Sequence, residues 1–123
     1  MDKTRIELEG VTKYGPYSPG IMAGNIVWLS GQIAVESGDD IRAQTKGTLD
    51  KIDALLTQAG SSKHHICFAQ VLLEDINDFA AMNEVYGAWV EEIEHRPARA
   101  AFAVDALPAG AKIEIVVQAI RPE

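Results

Sequence analysis

Apolar residues recur at helical spacing in two segments of this chain, and both segments are predicted to be amphipathic helices. In the first, residues 41–59, apolar or small residues fall on one face, two aspartates precede the first turn, and Gly60 follows the last. The second covers residues 77–93 and begins near Asn77 or Asp78, because either side chain could cap it. The chain is therefore expected to contain two helices, each with one face turned toward a core.

Other segments have the shorter period or the unbroken apolarity of β-strands. The five predicted strands are residues 3–9, 25–35, 66–73, 98–105 and 112–120. The second of these is interrupted at Ser30 and Gly31, where a glycine indicates a bulge or the close approach of another group to the backbone. Residues 15–20 are rich in Gly and Pro and are predicted to form a loop, and residues 107–110 a turn.

The order of these elements, β-β-α-β-α-β-β, predicts an α+β domain with one mixed sheet. Each connection through a helix is a crossover, so two helices of similar amphipathicity are expected on one face of the sheet. Residues 66–73 and 113–119 are apolar on both alternating faces, and the face without helices therefore needs another cover. A second copy of the chain can supply that cover, which predicts a homo-oligomer.

Size and charge narrow the class of protein further. A chain of 123 residues with 47% hydrophobic and 24% charged residues fits one globular domain, residues 1–123. The formal charge of −7, with dispersed Lys and Arg, disfavours nucleic-acid binding. The sequence has no apolar export signal or bilayer-length apolar stretch, and its one cysteine, Cys67, cannot form an intrachain disulfide. A soluble, cytoplasmic protein without membrane contacts is expected.

Arg99 and Glu114 are charges within otherwise apolar predicted strands, and both require an explanation. Arg99 could hold a substrate carboxylate with its planar guanidinium, or it could form a structural ion pair with Glu114 on the neighbouring closing strand. Glu114 could accept a proton from a water and direct that water at an electrophilic carbon, or it could simply neutralise Arg99. Two such residues of opposite sign on adjacent strands indicate a site more strongly than either residue alone.

Several polar residues outside these strands could complete a site. Asn83 could contact a ligand or fix the backbone near Ser30, because an amide both donates and accepts. Tyr17 lies in the Gly- and Pro-rich loop, which suits a pocket wall or lid, although loop tyrosines also serve packing. His64, His65 and Cys67 make a poor metal site, because adjacent strand residues point to opposite faces. Cys67 is expected to be an inert buried thiol, and neither a metal nor a cofactor motif is found.

An ordered set of motifs across the chain resembles one known family, the YjgF/RidA enamine/imine deaminases. The motifs are Gly15-Pro16-Tyr17-Ser18, Gly24-Asn25, Leu29-Ser30-Gly31-Gln32-Ile33, Gln44-Thr45, Ala59-Gly60-Ser61-Ser62, the segment from Asn77 to Tyr86, Arg96-Pro97-Ala98-Arg99 and Ile113-Glu114-Ile115. Single motifs are weak signals, but this order, with the Asn-Asp-Phe helix and the Pro-Ala-Arg strand, is specific.

The resemblance implies a chorismate-mutase-like fold and a homotrimer whose sheets face a central axis, with active sites between subunits. It also implies hydrolysis of 2-aminoacrylate-type enamines, through their imines, to 2-keto acids and ammonia, without cofactor or metal. By the same resemblance Arg99 grips the substrate carboxylate and Glu114 positions the attacking water. Tyr17 closes the pocket, while Ser30, Gly31, Asn83 and the backbone of Ala101 line it.

The same resemblance leaves the substrate open. Pro19, Ala100 and Ala101 stand where many relatives carry other residues, so the cleft is expected to be altered. A broad deaminase that clears intermediates shed by pyridoxal-phosphate enzymes is the first hypothesis. The alternatives are a dedicated 2-aminomuconate-type deaminase, a non-catalytic binder of keto acids, and an endoribonuclease or translation inhibitor, which the acidic charge disfavours.

Overall fold

The computed structural model describes residues 2–10 and 13–123, and its six strands form one mixed sheet with two helices. The strands are β1 (Lys3–Ile6), β2 (Gly20–Ala23), β3 (Ile26–Leu29), β4 (Ile66–Leu73), β5 (Ala98–Ala103) and β6 (Ile113–Ile120). The helices are α1 (Ile41–Gln58) and α2 (Phe79–Val90). The α+β class predicted from the sequence is therefore confirmed, with one strand more than expected.

The sheet has the strand order β1-β2-β3-β6-β4-β5. Neighbouring strands are antiparallel, except that β4 and β5 are parallel. Because β3 and β4 both lie antiparallel to β6, they run in the same direction, and α1 makes the crossover between them. The helix α2 makes the second crossover, from β4 to β5. The last strand in the sequence is thus inserted at the centre of the sheet, between β3 and β4.

The strand β2 lies in a segment that the sequence analysis left without regular structure. It has only four residues and follows a Pro-rich loop, so its turn residues hide a short strand signal. Gly20 pairs with Leu29 of β3, and a Cβ atom at Gly20 would lie 2.8 Å from the Leu29 side chain. This close packing, rather than a turn, explains the glycine.

The helix α1 begins and ends where the sequence predicted. The Asp40 side chain accepts a hydrogen bond from the backbone N–H of Ala43 at 2.8 Å, which caps the first turn. Gly60 follows the helix with a φ of +78°, the left-handed conformation that glycine adopts at helix ends. Between them, Leu49, Ile52 and other apolar residues of α1 are buried against the sheet.

The start of α2 differs in one detail from the prediction. Asp75, rather than Asn77 or Asp78, provides the side-chain cap, because its carboxylate accepts from the backbone N–H of Asn77 at 2.9 Å. That bond caps a short 3₁₀ turn, residues 76–78, which leads directly into α2. An extra turn of tighter helix therefore places the capping residue two or three positions earlier than the helical spacing alone indicated.

The two faces of the sheet differ in exposure. On the face covered by the helices, alternate residues of β4 and β6 such as Val71, Leu73, Ile113 and Ile115 are fully buried. On the other face, five large apolar side chains are between 37% and 43% exposed: Ile26, Trp28, Phe68, Phe102 and Ile120. The single chain thus leaves one apolar face of its sheet without a cover.

Candidate functional site

A cavity of about 290 Å³ opens where the chain leaves β3. Four of the predicted site residues line it: Tyr17, Ser30, Gly31 and Glu114. The other lining residues are Tyr14, Gln32, Ile33, Lys51 and Pro108. The fold brings these side chains together because the segment after β3 bridges to β6, where Gln32 pairs with Ile115.

Glu114 packs directly against the backbone of Gly31. A Cβ atom added at Gly31 would lie only 2.7 Å from Cδ of Glu114, so any larger residue there would displace the carboxylate. Of the bulge and the close approach predicted for this glycine, the structure has the close approach, and the approaching group is Glu114. Burial raises the pKa of the Glu114 carboxyl above its usual value of 4.5. In the described part of the chain Glu114 has no ion-pair partner.

Ser30 fixes the loop that carries Tyr17. Its Oγ donates to the carbonyl of Ser18 at 2.6 Å, and its backbone N–H donates to the carbonyl of Pro19 at 2.9 Å. Tyr17 lies at the cavity wall with 39% of its surface exposed, and its hydroxyl accepts from the backbone N–H of Tyr14 at 3.3 Å. Ser30 therefore holds the loop, while the exposed Tyr17 ring forms the wall of the cavity.

Arg99 lies on the edge strand β5 and turns toward α2. Its Nη1 donates to Oδ1 of Asn83 at 2.7 Å, and its guanidinium carbon lies 4.8 Å from the Tyr86 ring centroid and 5.8 Å from that of Phe79. Within residues 2–10 and 13–123, no carboxylate forms an ion pair with Arg99. The contact between Arg99 and Asn83 joins two residues that the sequence analysis selected separately.

Arg99 and Glu114 lie on opposite faces of the sheet, which excludes the alternative that they form an ion pair within one chain. Arg99 pairs with Ala69 of β4, which is buried under the helices, whereas Glu114 pairs with Leu72 on the other face. Their strands are not neighbours either, because β4 lies between β5 and β6. That alternative required the last two strands of the sequence to be neighbours in the sheet, which they are not.

The candidate residues therefore form two separate groups within one chain. The first is the cavity group of Tyr17, Ser30, Gly31 and Glu114. The second is the arginine group of Arg99, Asn83 and Ala101, on the helix side of β5. Ala101 belongs to it because it lies two residues beyond Arg99 on the same face and pairs with Val71.

Lys51 also lines the cavity, although the sequence did not indicate it as a candidate site residue. Its Nζ donates to the carbonyl of Ile33 at 2.6 Å and forms an ion pair with Glu36. The hydrogen bond from Lys51 is the main cause that lowers the pKa of Glu36. Lys51 therefore ties the segment after β3 to α1. The only sequence signal was a lysine beside the apolar stripe of α1, next to the buried Ile52.

The environment of Cys67 also differs from the expectation. Cys67 is exposed rather than buried, because the register of β4 against β6 shifts between Ile66 and Phe68 and turns the thiol out of the core. Across the described residues, no group of three or more His, Cys, Asp or Glu side chains is placed to hold a metal ion. The helices described are also too short or too polar to span a membrane.

This chain is a small α+β protein, whose six-stranded mixed sheet has two helices on one face and whose Glu114 carboxylate lines a cavity. A family model described as "Endoribonuclease L-PSP" matches residues 9–121 of this chain. The chain therefore belongs to that family, which is the YjgF/RidA family. The resemblance inferred from the sequence motifs is thereby confirmed.

Individual relatives agree with this assignment. A RutC family protein of Pyrococcus abyssi is 42% identical over 82% of this chain and 83% of its own length. The 2-iminobutanoate/2-iminopropanoate deaminase of Escherichia coli K12 is 36% identical over 98% of this chain and 99% of its own. The crystal structure of E. coli TdcF with bound serine is 34% identical, with a TM-score of 0.88 over 97% and 99% of the chains. The family thus includes imine deaminases, which supports an enzymatic role at the family level.

Proposed function

We propose that the protein hydrolyses reactive enamine and imine intermediates of the 2-aminoacrylate type to 2-keto acids and ammonia. The observation that carries this proposal is the environment of Glu114. This carboxylate faces a cavity, packs on Gly31 and has a pKa raised by burial. A carboxylate with a raised pKa is a better proton acceptor near neutral pH than an exposed one.

Glu114 suits the delivery of water to an imine carbon. The enamine first tautomerises to the imine, whose carbon is already electrophilic. Glu114 accepts a proton from a bound water as the oxygen forms its bond to that carbon, and passes this proton to the nitrogen as the C=N π bond breaks. Glu114 then takes the proton of the new hydroxyl group and transfers it to the nitrogen, so that ammonia leaves as the C–N bond breaks and the C=O bond of the keto acid forms. This route needs one oriented water and groups that the chain supplies.

Arg99 suits the carboxylate that such substrates carry. Its guanidinium is half-buried, and Asn83, its hydrogen-bond partner among the described residues, is uncharged. The positive charge is therefore not neutralised within the described chain, and the remaining N–H groups can form a bidentate pair with a carboxylate. A carboxylate held in this way fixes the distance between the imine carbon and the water.

Because the cavity group and the arginine group lie on opposite faces of the sheet, we propose that two copies of the chain complete each site. Arg99, Asn83 and Ala101 would come from one subunit, and Glu114, Tyr17, Ser30 and Gly31 from its neighbour. The uncovered apolar face with Trp28 and Phe68 supports this arrangement, because a second copy would remove that surface from water. A homotrimer with its sheets facing a central axis satisfies both requirements.

The relatives support the same substrate class. The E. coli relative is named for imines of two short 2-keto acids, and TdcF was crystallised with serine, which carries a carboxylate. Pyridoxal-phosphate enzymes that release 2-aminoacrylate or its homologues are the functional partners we propose. The net charge of −7 gives no support to the ribonuclease activity named in the family description.

The proposal is tested by adding the purified protein to a threonine or serine dehydratase reaction and following keto-acid release. We expect the wild type to accelerate release, and Arg99→Ala or Glu114→Gln to reduce this acceleration by about 100-fold or more, in line with the loss of a general base or a positioning contact. Arg96→Ala and Glu91→Gln are matched controls, since both side chains are exposed and outside the two groups. The controls should retain wild-type rates.

Three outcomes would contradict the proposal. Release that is no faster with the wild type than without it excludes deaminase activity toward these substrates. A rise in melting temperature with 2-oxobutanoate, while hydrolysis stays at background, indicates a non-catalytic binder instead. Cleavage of RNA by metal-free protein, while imine hydrolysis stays at background, would favour the ribonuclease hypothesis.

A further inference from the structure

The helix α2 presents three side chains to Arg99 at positions 79, 83 and 86. This spacing of i, i+4 and i+7 places Phe79, Asn83 and Tyr86 on one stripe of the helix. Asn83 accepts the hydrogen bond from Nη1 of Arg99, and the two rings lie within 5.8 Å of its guanidinium carbon. The arginine on the strand edge is therefore held from one side by a single helix.

These contacts orient a cation without neutralising it. An aromatic face attracts a guanidinium through its quadrupole, and the attraction grows when the pair is shielded from water. Tyr86, the nearer ring, is only 6% exposed. An acidic residue in its place would also hold Arg99, but it would compete with a carboxylate ligand for the same charge.

We infer that Phe79 and Tyr86 are positioning residues, which act through Arg99 and set its affinity for the carboxylate of the ligand. The inference deepens the proposed function and rests on it, because it assumes that Arg99 binds that carboxylate. The aromatic rings stabilise the orientation of the Arg99 guanidinium. Tyr86 contributes more than Phe79, because its ring centroid lies 1 Å nearer to the guanidinium carbon.

The hydroxyl of Tyr86 is not required for this role. It is buried, and no hydrogen-bond partner for it occurs among the residues described. Burial raises the pKa of this hydroxyl above 10.0, and this effect exceeds the opposing influence of Arg99. The ring therefore contacts Arg99 as a neutral phenol, and a phenylalanine should replace it.

The experiment compares Tyr86→Leu, Tyr86→Phe and Phe79→Leu by calorimetric titration with 2-oxobutanoate and by steady-state imine hydrolysis. We expect Tyr86→Leu to weaken 2-oxobutanoate binding about tenfold, Phe79→Leu by less, and Tyr86→Phe to remain within about twofold of the wild type. KM should rise in parallel while kcat changes little, because the carboxylate is held alike in the ground and transition states.

Val90→Ala is the control for a merely structural effect, since Val90 is buried in α2 one turn past Tyr86. Loss of folded protein lowers the apparent kcat and the number of binding sites, but it does not change KM or the dissociation constant. We therefore expect Val90→Ala to lower the melting temperature without weakening 2-oxobutanoate binding. If Val90→Ala weakened binding as much as Tyr86→Leu, the positioning role would be overturned.

A second measurement does not depend on catalysis. The side-chain NMR signals of Arg99, identified by their loss in Arg99→Lys, should show ring-current shifts that collapse in Tyr86→Leu and persist in Tyr86→Phe. Unchanged shifts and unchanged affinity in Tyr86→Leu would overturn the inference, even if the wild type hydrolyses imines. Absent hydrolysis with the expected affinity changes would overturn only the proposed function.

Discussion

At the scale of single residues, the catalytic role proposed for Glu114 has a consequence for stability. Its pKa is raised by burial, and the carboxylate must be ionised to accept a proton from water. We therefore expect the rate of imine hydrolysis to fall as the pH decreases through this raised pKa, above the 4.5 of an ordinary glutamate. The pH dependence of kcat/KM measures this decrease in rate. A rate that stays constant down to pH 4.5 would contradict a catalytic role for Glu114.

The same pKa shift predicts that Glu114→Gln stabilises the fold while it abolishes activity. A carboxyl whose pKa is raised by folding contributes stability below its unfolded pKa, and this contribution is lost as the pH rises through the folded pKa. At neutral pH the ionised Glu114 thus destabilises the protein, and glutamine removes that penalty. Urea unfolding at pH 7 and pH 4.5 should show a larger gain at pH 7. An equal gain at both values, or a loss, would contradict this account.

The sequence could indicate candidate site residues, but it could not indicate which of them lie together in the fold. Arg99 and Glu114 were recognisable as charges in apolar strands, and Gly31 as a close approach. Which face each side chain occupies depends on register and strand order, because a shift of one residue reverses the face. The position of β4 between β5 and β6 is a long-range property that no local pattern in residues 98–120 encodes.

At the scale of elements, α1 contains two buried polar residues whose replacement by apolar residues should change the free energy of unfolding in opposite directions. Gln44 accepts from the backbone N–H of Lys112 and donates to the carbonyl of Gly38, both at 2.9 Å, whereas the Thr48 hydroxyl is buried without a partner among the described residues. We expect Gln44→Leu to lower the free energy of unfolding by about 1–3 kcal/mol, and Thr48→Val to raise it by about 1 kcal/mol. Urea denaturation of both variants measures this. A loss of stability in Thr48→Val would contradict the account.

The boundaries of the long helix α1 were predictable from the sequence, whereas the short strand β2 was not. The boundaries of α1 follow from Asp40 and Gly60, which act locally. The strand β2 has four residues and depends on pairing with β1 and β3 on either side, so its identity is set by tertiary contacts. The cap of α2 at Asp75 was missed for a related reason, since the 3₁₀ turn before α2 leaves no periodic signal of its own.

At the scale of the whole molecule, two features of the described chain support the proposed oligomer. One face of its sheet exposes apolar side chains such as Trp28, and its two groups of candidate residues point to opposite faces. The sequence already predicted that a second copy covers the sheet. The structure adds a second argument for the proposed shared site, because Arg99 and Glu114 lie on opposite faces of the sheet within one chain.

The most direct test of this central claim mixes two inactive variants. Arg99→Ala and Glu114→Gln chains are coexpressed with different affinity tags, and oligomers that contain both are purified and assayed for imine hydrolysis. If each site takes Arg99 from one subunit and Glu114 from the next, every trimer that contains both chains has about one site in three intact. We predict that the mixed trimers recover about a third of wild-type activity, while each variant alone stays inactive. Mixed oligomers as inactive as the single variants would contradict a site shared between subunits.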